Sequence, residues 1–170
     1  MTATQLPFDV NSEAVRVKFL EEEMPTLLVQ LQPDTPAKWG QFTAQHMVEH
    51  LAWSMEMMAG ILEYPCTTPE EKIPRYQTFL YNDIPIKPDF RSPIMGDKPP
   101  AYRCANLEAA CKLVSRRWED AKSHLTNSPD ARPVNPVFGP LDYEQWHRFQ
   151  YKHCFHHLSQ FGLIEAIEKP

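Results

Sequence analysis

The chain has 170 residues, 42% of them hydrophobic and 23% charged, which is the usual balance of one soluble domain with its own core. A net charge of −5 without any Lys/Arg run excludes a typical nucleic-acid-binding protein. No apolar run is long enough to cross a membrane, and the first residues lack the pattern of a signal peptide. We therefore expect a single cytoplasmic domain over residues 1–170 that binds neither nucleic acid nor membrane.

Hydrophobic residues recur at helical spacing in four long stretches, and each stretch predicts a main helix. The predicted helices cover about residues 12–32, 43–62, 106–125 and 142–167. Pro25 lies inside the first of them and predicts a kink or a break there. Thr43 and Asp142 are predicted as the N-caps of the second and the last helix.

Proline is frequent, with 17 residues, and most of the prolines fall between the predicted helices. Thr68 and Pro69 predict the start of one short extra helix. Two long Pro-rich connections are predicted, at residues 84–103 and 129–140, and the first is long enough to form a functional loop or lid. No stretch has the alternating pattern of a convincing strand, so the predicted fold class is all-α.

Two pairs of histidines lie four residues apart on predicted helices: His46 with His50, and His153 with His157. Residues at this spacing are about 40° apart around a helix, so both imidazoles of a pair can face one metal ion. Zinc, nickel and iron(II) all accept neutral imidazole nitrogens. The alternative is that these histidines are hydrogen-bonded residues of the core.

The number of histidine ligands decides what kind of metal site the pattern predicts. His50, His153 and His157 alone would leave a coordination position open, as catalytic sites do, whereas His46 as a fourth ligand would close the site. His156 is about 100° around the helix from His157, so we expect it to lie beside a ligand or on the surface. Gln160 is one turn after His157 and is expected to hydrogen-bond a ligand imidazole or a bound water.

Two acidic residues of the second predicted helix, Glu49 and Glu56, are candidates for a general base. Both lie at least about 100° around the helix from His50, and they share a face with each other. We therefore expect this face to be solvated rather than catalytic.

Four sequence elements together resemble the DinB-like superfamily, of the DinB/YfiT type. They are Pro36–Gly40, Gln45–Leu51, Phe138–Leu141 and His153–Gly162, and the resemblance covers nearly the whole chain. It implies a four-helix bundle that is often dimeric, so a homodimer is expected. It also implies a divalent metal ion held by three histidines, which in this chain are His50, His153 and His157. Other branches of the superfamily are S-transferases or isomerases that use a low-molecular-weight thiol as cosubstrate.

Two classes of function are compatible with these features. The first is a metal-dependent enzyme for a small-molecule substrate, either a thiol-dependent S-transferase or a hydrolase, with zinc, nickel or iron as the Lewis acid. The second is a non-catalytic helical domain that binds a metal or another protein. In that case the methionines of the second helix would form a packing or partner surface; these are Met47, Met55, Met57 and Met58.

Overall fold

A computed structural model of the chain describes residues 3–88, 90, 92, 94–96 and 98–167. The described residues are mostly helical, with very little sheet, which agrees with the predicted fold class. In chain order the elements are α1 (Glu13–Lys18), a π-helical turn (Phe19–Glu23), α2 (Met24–Leu28), α3 (Ala44–Met58), a 3₁₀ turn (Glu70–Lys72), α4 (Ile73–Gln77), a second 3₁₀ turn (Thr78–Tyr81), α5 (Leu107–Asn127), β1 (Val134–Asn135), β2 (Gly139–Pro140) and α6 (Tyr143–Gln160). None of the described helices has both the length and the apolar character needed to cross a bilayer.

The break predicted at Pro25 takes the form of a π-helical turn between α1 and α2. A proline inside a helix has no N–H to donate, and its ring crowds the carbonyl four residues earlier. The chain accommodates this by widening before Pro25, where the Met24 amide donates to the Phe19 carbonyl oxygen five residues back. The helical stretch then ends at Leu28, about one turn earlier than predicted.

Glycines end α3 and α6 earlier than the predicted bounds of residues 62 and 167. Gly60 and Gly162 have φ angles of 66° and 69°, in the left-handed region that glycine adopts without a steric penalty. At the end of α6 the Leu163 amide donates to the Leu158 carbonyl oxygen at 3.0 Å, which is the long bond of a Schellman motif. The predicted bounds were too long because the apolar pattern continues past both glycines.

The predicted N-caps are confirmed. The side chains of Thr43 and Asp142 accept hydrogen bonds from the backbone amides of His46 and Gln145, and both ends form complete capping boxes. Asn106 caps α5 in the same way, through the amide of Ala109. These caps fix where α3, α5 and α6 begin, and therefore the register of the histidines on α3 and α6.

Helix α6 lies at the centre of the molecule. It contacts α1, α2 and α3, and α3 packs in turn along α5. Thirteen of the eighteen residues of α6 are buried, including polar ones such as Lys152, His153 and His157. Buried polar groups need partners inside the protein, so a polar central helix indicates a site rather than a simple core.

The methionines of α3 are buried and do not form a partner surface. Met47, Met55 and Met58 have no exposed area, and Met57 is 4% exposed. They belong to the core cluster of the molecule, and Met57 also lines a large cavity.

A short antiparallel hairpin in the second Pro-rich connection was not predicted. Its strands β1 and β2 pair Val134 with Pro140 and Asn135 with Gly139. With two residues in each strand, the hairpin is too short to show an alternating pattern in the sequence. Pro133, the residue before β1, contacts α6: its carbonyl oxygen accepts a hydrogen bond from the Trp146 indole N–H at 3.0 Å.

Candidate metal centre

Three histidines from two helices meet between α3 and α6. His50 extends from α3, and His153 and His157 extend from adjacent turns of α6. One ring nitrogen of each lies within 4.8 Å of the others, and the Nε2 atoms of His50 and His153 are 2.9 Å apart. His153 and His157 are buried and His50 is half-buried. The structure thus brings together the three residues that the sequence predicts as ligands.

A hydrogen-bond chain fixes the proton of His153 on Nδ1. Nδ1 lies 3.2 Å from the Ser54 hydroxyl oxygen, and that hydroxyl is within donating distance of the Gln150 side-chain oxygen and the Leu51 carbonyl. A hydroxyl has one proton to donate, so with its proton given to either acceptor it can only accept from His153. Nδ1 therefore carries the proton, and Nε2 presents a lone pair toward His50.

A second chain fixes His157 in the same tautomer. Its Nδ1 donates to the Gln160 side-chain oxygen at 2.8 Å. The Gln160 amide nitrogen donates to the Trp39 carbonyl oxygen, also at 2.8 Å, and this sets which way the amide faces. The expectation that Gln160 hydrogen-bonds one of these imidazoles is confirmed, and Nε2 of His157 is left with its lone pair.

All three imidazoles are neutral near pH 7. Burial lowers the pKa of His50 to about 4, and it lowers the pKa values of His153 and His157 well below the ordinary value. Neutral imidazole is the form that binds metal ions. Nε2 of His153 faces Nε2 of His50 at 2.9 Å, so either a proton or a cation must lie between the two atoms.

The donor set fits one divalent ion. At Zn–N distances of about 2.0–2.1 Å, two ligand atoms on a tetrahedral ion are about 3.3 Å apart. The three ligand atoms, all within 4.8 Å of each other, need only small side-chain rotations to reach that spacing. Ser54 and Gln160 resemble the outer partners that usually orient metal-binding histidines.

A cavity of about 1460 Å³ opens onto the three histidines. This is larger than the roughly 300–1,000 Å³ typical of small-molecule sites. Its walls are mostly apolar and include Trp39, Phe42, Trp53, Phe138 and Phe149. A substrate in the cavity would reach the histidines directly.

Comparison with known proteins gives a family. Residues 17–161 match the DinB superfamily, a span that includes all three histidines and the helices that carry them. The chain belongs to the DinB superfamily. No curated protein and no solved structure gives a match to it. The superfamily is consistent with a metal-binding enzyme, as is the histidine cluster.

In this DinB superfamily member, His46 stays apart from the three clustered histidines. Its Nδ1 lies 2.9 Å from the Thr43 hydroxyl and 3.4 Å from the Thr43 amide, which donates to it. Nδ1 is therefore an acceptor, and Nε2 carries the proton that bonds the Pro100 carbonyl oxygen at 3.1 Å. The ring also stacks on Tyr102, with centroids 4.2 Å apart. His46 thus fastens the end of the first Pro-rich connection to α3.

The other end of that connection is fastened to α6 by Lys152 and His156. The Lys152 ammonium, 1% exposed, donates to the carbonyl oxygens of Phe79 and Ile84 and to the Asn82 side chain. Burial lowers the pKa of Lys152 to about 8. One turn later His156 Nδ1 lies 3.1 Å from the Ile86 carbonyl oxygen. These contacts hold one wall of the cavity beside the clustered histidines.

The expectation of a solvated face at Glu49 and Glu56 is wrong, since the two residues are 4% and 1% exposed. Glu49 accepts hydrogen bonds from the backbone amides of Arg103 and Cys104, at 2.7 and 2.9 Å. Glu56 is ion-paired with Arg103 and Arg117. This face of α3 is therefore buried against backbone amides and arginine side chains of residues 103–117. Neither carboxylate lines the cavity, so neither is placed to act as a base there.

Sequence reasoning missed the groups that orient His153 and that hold the cavity wall. Ser54 is four residues after His50 and Gln150 three residues before His153, so both share a helix face with a clustered histidine. This spacing could have identified both residues as neighbours of the histidines. Lys152 offered none, because a lysine next to the histidines reads as a solvent-exposed cation.

Proposed function

We propose that this DinB superfamily member is a divalent-metal-dependent enzyme in which His50, His153 and His157 hold the ion through their Nε2 atoms. One observation carries the proposal: three neutral imidazoles converge at the wall of a large apolar cavity. Three protein ligands leave a coordination position for a substrate, whereas structural sites are closed by four. The four-helix bundle implied by the resemblance is part of this proposal, supported by the contacts of α6 with α1, α2 and α3 and of α3 with α5.

The metal ion and the residues around it would have different roles. When bound, a zinc, nickel or iron(II) ion would supply a Lewis acid at the wall of the cavity. Ser54 and Gln160 keep the Nδ1 protons of His153 and His157 in place, so that both Nε2 atoms face the ion. The apolar walls exclude water from the reacting groups, which strengthens every electrostatic interaction there.

Transfer to or from a low-molecular-weight thiol is the reaction we favour over hydrolysis. The described residues that line the cavity include no cysteine and no carboxylate. Among these described residues there is no thiol nucleophile and no acidic side chain that could act as a base, whereas a thiol cosubstrate would bring the nucleophile with it. Incubating the metal-loaded protein with a thiol and an electrophilic aromatic substrate tests this. Formation of a thioether with release of the leaving group of the aromatic ring, faster than without protein, supports transfer. Equally fast release of that leaving group without thiol, with a hydroxyl group in its place, indicates hydrolysis and contradicts it.

Metal content decides the proposal as a whole. Single variants His50→Ala, His153→Ala and His157→Ala should each lose most of the bound metal, measured by mass spectrometry after equilibration with limiting zinc. The matched control is His46→Ala, which removes a histidine from the same helix and should retain about one ion per chain. Equal metal content in all four variants would contradict the assignment.

The non-catalytic alternative and the oligomeric state are tested separately. A metal-binding domain without activity would also be stabilised by its ion, so thermal melting with a chelator supports the metal but not catalysis. Turnover of substrate that disappears in His153→Ala separates the two functions. The homodimer that the resemblance implies is tested by light scattering of the purified chain.

A further inference from the structure

The cavity beside the three histidines has an unusual balance of charge. Its described lining residues include four cations and no aspartate or glutamate; the cations are Lys72, Arg75, Lys87 and Lys98. In the chain as a whole acidic residues outnumber basic ones, 22 to 17. The described lining is therefore net positive, whereas the chain as a whole is net negative.

These four cations are not neutralised by the described part of the chain, where none of them forms an ion pair. Among the described basic residues elsewhere, seven form ion pairs and four do not; the paired ones are Arg16, Lys18, Arg103, Lys112, Arg117, Lys122 and Arg148, and the others are Lys38, Arg116, Arg132 and Lys152. Charges of one sign in a cleft with apolar walls focus the electrostatic field there.

Two of the cations, Lys72 and Arg75, lie on the helical stretch around α4. Lys72, Arg75, Tyr76 and Phe79 all line the cavity and are spaced i, i+3, i+4 and i+7 along the helical stretch around α4. This spacing puts them on one face, with cations and aromatic rings side by side. Lys72 and Arg75 are exposed to solvent, so they stand at the mouth of the cavity, whereas His153 and His157 are buried.

We propose that the cavity takes an amphipathic organic anion, with its apolar body against the aromatic walls and its anionic group at Lys72 and Arg75. This inference rests on the proposed function, because it names the substrate class of the same site. The apolar lining accounts for the body of the ligand, and the cations of the described lining account for its charge.

Two fluorescent dyes of nearly the same shape test the inference: anilinonaphthalene sulfonate, which is anionic, and phenylnaphthylamine, which is uncharged. Both are titrated into chelator-treated protein, so the result does not depend on bound metal. In Lys72→Gln/Arg75→Gln the Kd of the sulfonate should rise about fivefold to tenfold, from the loss of two exposed charge contacts. The Kd of the uncharged dye should stay the same.

The matched control is Lys38→Gln/Arg116→Gln, which removes two exposed cations that do not line the cavity. It should leave the Kd of both dyes unchanged. An unchanged sulfonate Kd in the Lys72/Arg75 variant, an equal rise in the control, or no binding of either dye would each overturn the inference. If the histidines bind metal but the Lys72/Arg75 variant binds the sulfonate as tightly as the wild type, only this inference is refuted. If the variant loses affinity for the sulfonate but the histidines bind no metal, only the proposed metal site is refuted.

Discussion

Replacing Gln160 by leucine should weaken metal binding while leaving all three histidines in the chain. The change removes the oxygen that accepts from His157 Nδ1 at 2.8 Å and the amide that donates to the Trp39 carbonyl oxygen. Gln160 is 5% exposed, so water cannot easily replace either bond. His157 would then be free to rotate and to take the other tautomer, with the proton on the nitrogen that faces the site.

The expected loss can be estimated from these contacts. Removing an outer hydrogen-bond partner of a metal ligand typically costs roughly 10–100-fold in metal affinity. The two buried groups left unpaired should also lower the free energy of unfolding by about 2–4 kcal/mol. Zinc affinity is measured by competition with a chromophoric chelator, and stability by urea unfolding of the metal-free protein.

Two further variants separate positioning from general damage. Gln160→Glu keeps an oxygen for His157 but loses the donor to Trp39, so it should be destabilised yet keep most of its zinc affinity. Ser159→Ala removes a neighbouring hydroxyl that bonds only backbone carbonyls of α6, and its affinity should match the wild type. Zinc affinity of Gln160→Leu within twofold of the wild type would refute the reasoning.

Three other predictions concern stability. Lys152→Met leaves three partly buried acceptors without their donor and should cost about 1–3 kcal/mol in urea unfolding, whereas Lys112→Met, at an exposed ion pair, should cost about 0.5 kcal/mol or less. Glu49→Ala strips two backbone amides of their acceptor and should cost about 2 kcal/mol, against almost none for exposed Glu108→Ala. The pKa of His50 is lowered to about 4, so below pH 6.5 the unfolded metal-free chain binds more protons than the folded one. Stability should therefore fall as the pH is lowered from about 7 to 4, and a flat profile over that range would contradict the burial of a neutral His50.

The local patterns of the chain predicted most of the helices and the positions of the clustered histidines. Thr43 and Asp142 are at the caps that were predicted for them, and the four-residue spacing on α6 does put His153 and His157 side by side. These features depend on neighbours within one turn of helix. Such short-range relations can be read directly from a sequence.

The remaining features depend on residues that are distant in the chain. Glu49 was predicted to be solvated because its partners, the amides of Arg103 and Cys104, are more than fifty residues away. Spacing allowed His46 to be a ligand, but its ring bonds Pro100 from the far end of the Pro-rich connection. The early end of α6 at Gly162 has a different cause. Glycine often ends a helix, but the predicted bound followed the apolar pattern beyond it.

Anomalous diffraction from crystals grown with zinc, nickel or iron(II) tests the three-histidine site most directly. Data collected on either side of the absorption edge of the added metal locate the ion without any assumption about its ligands. The account predicts one strong peak per chain, within about 2.0–2.3 Å of the Nε2 atoms of His50, His153 and His157. A peak beside His46 or elsewhere in the chain would contradict the account. The absence of any peak, together with the absence of metal binding in solution, would also contradict it.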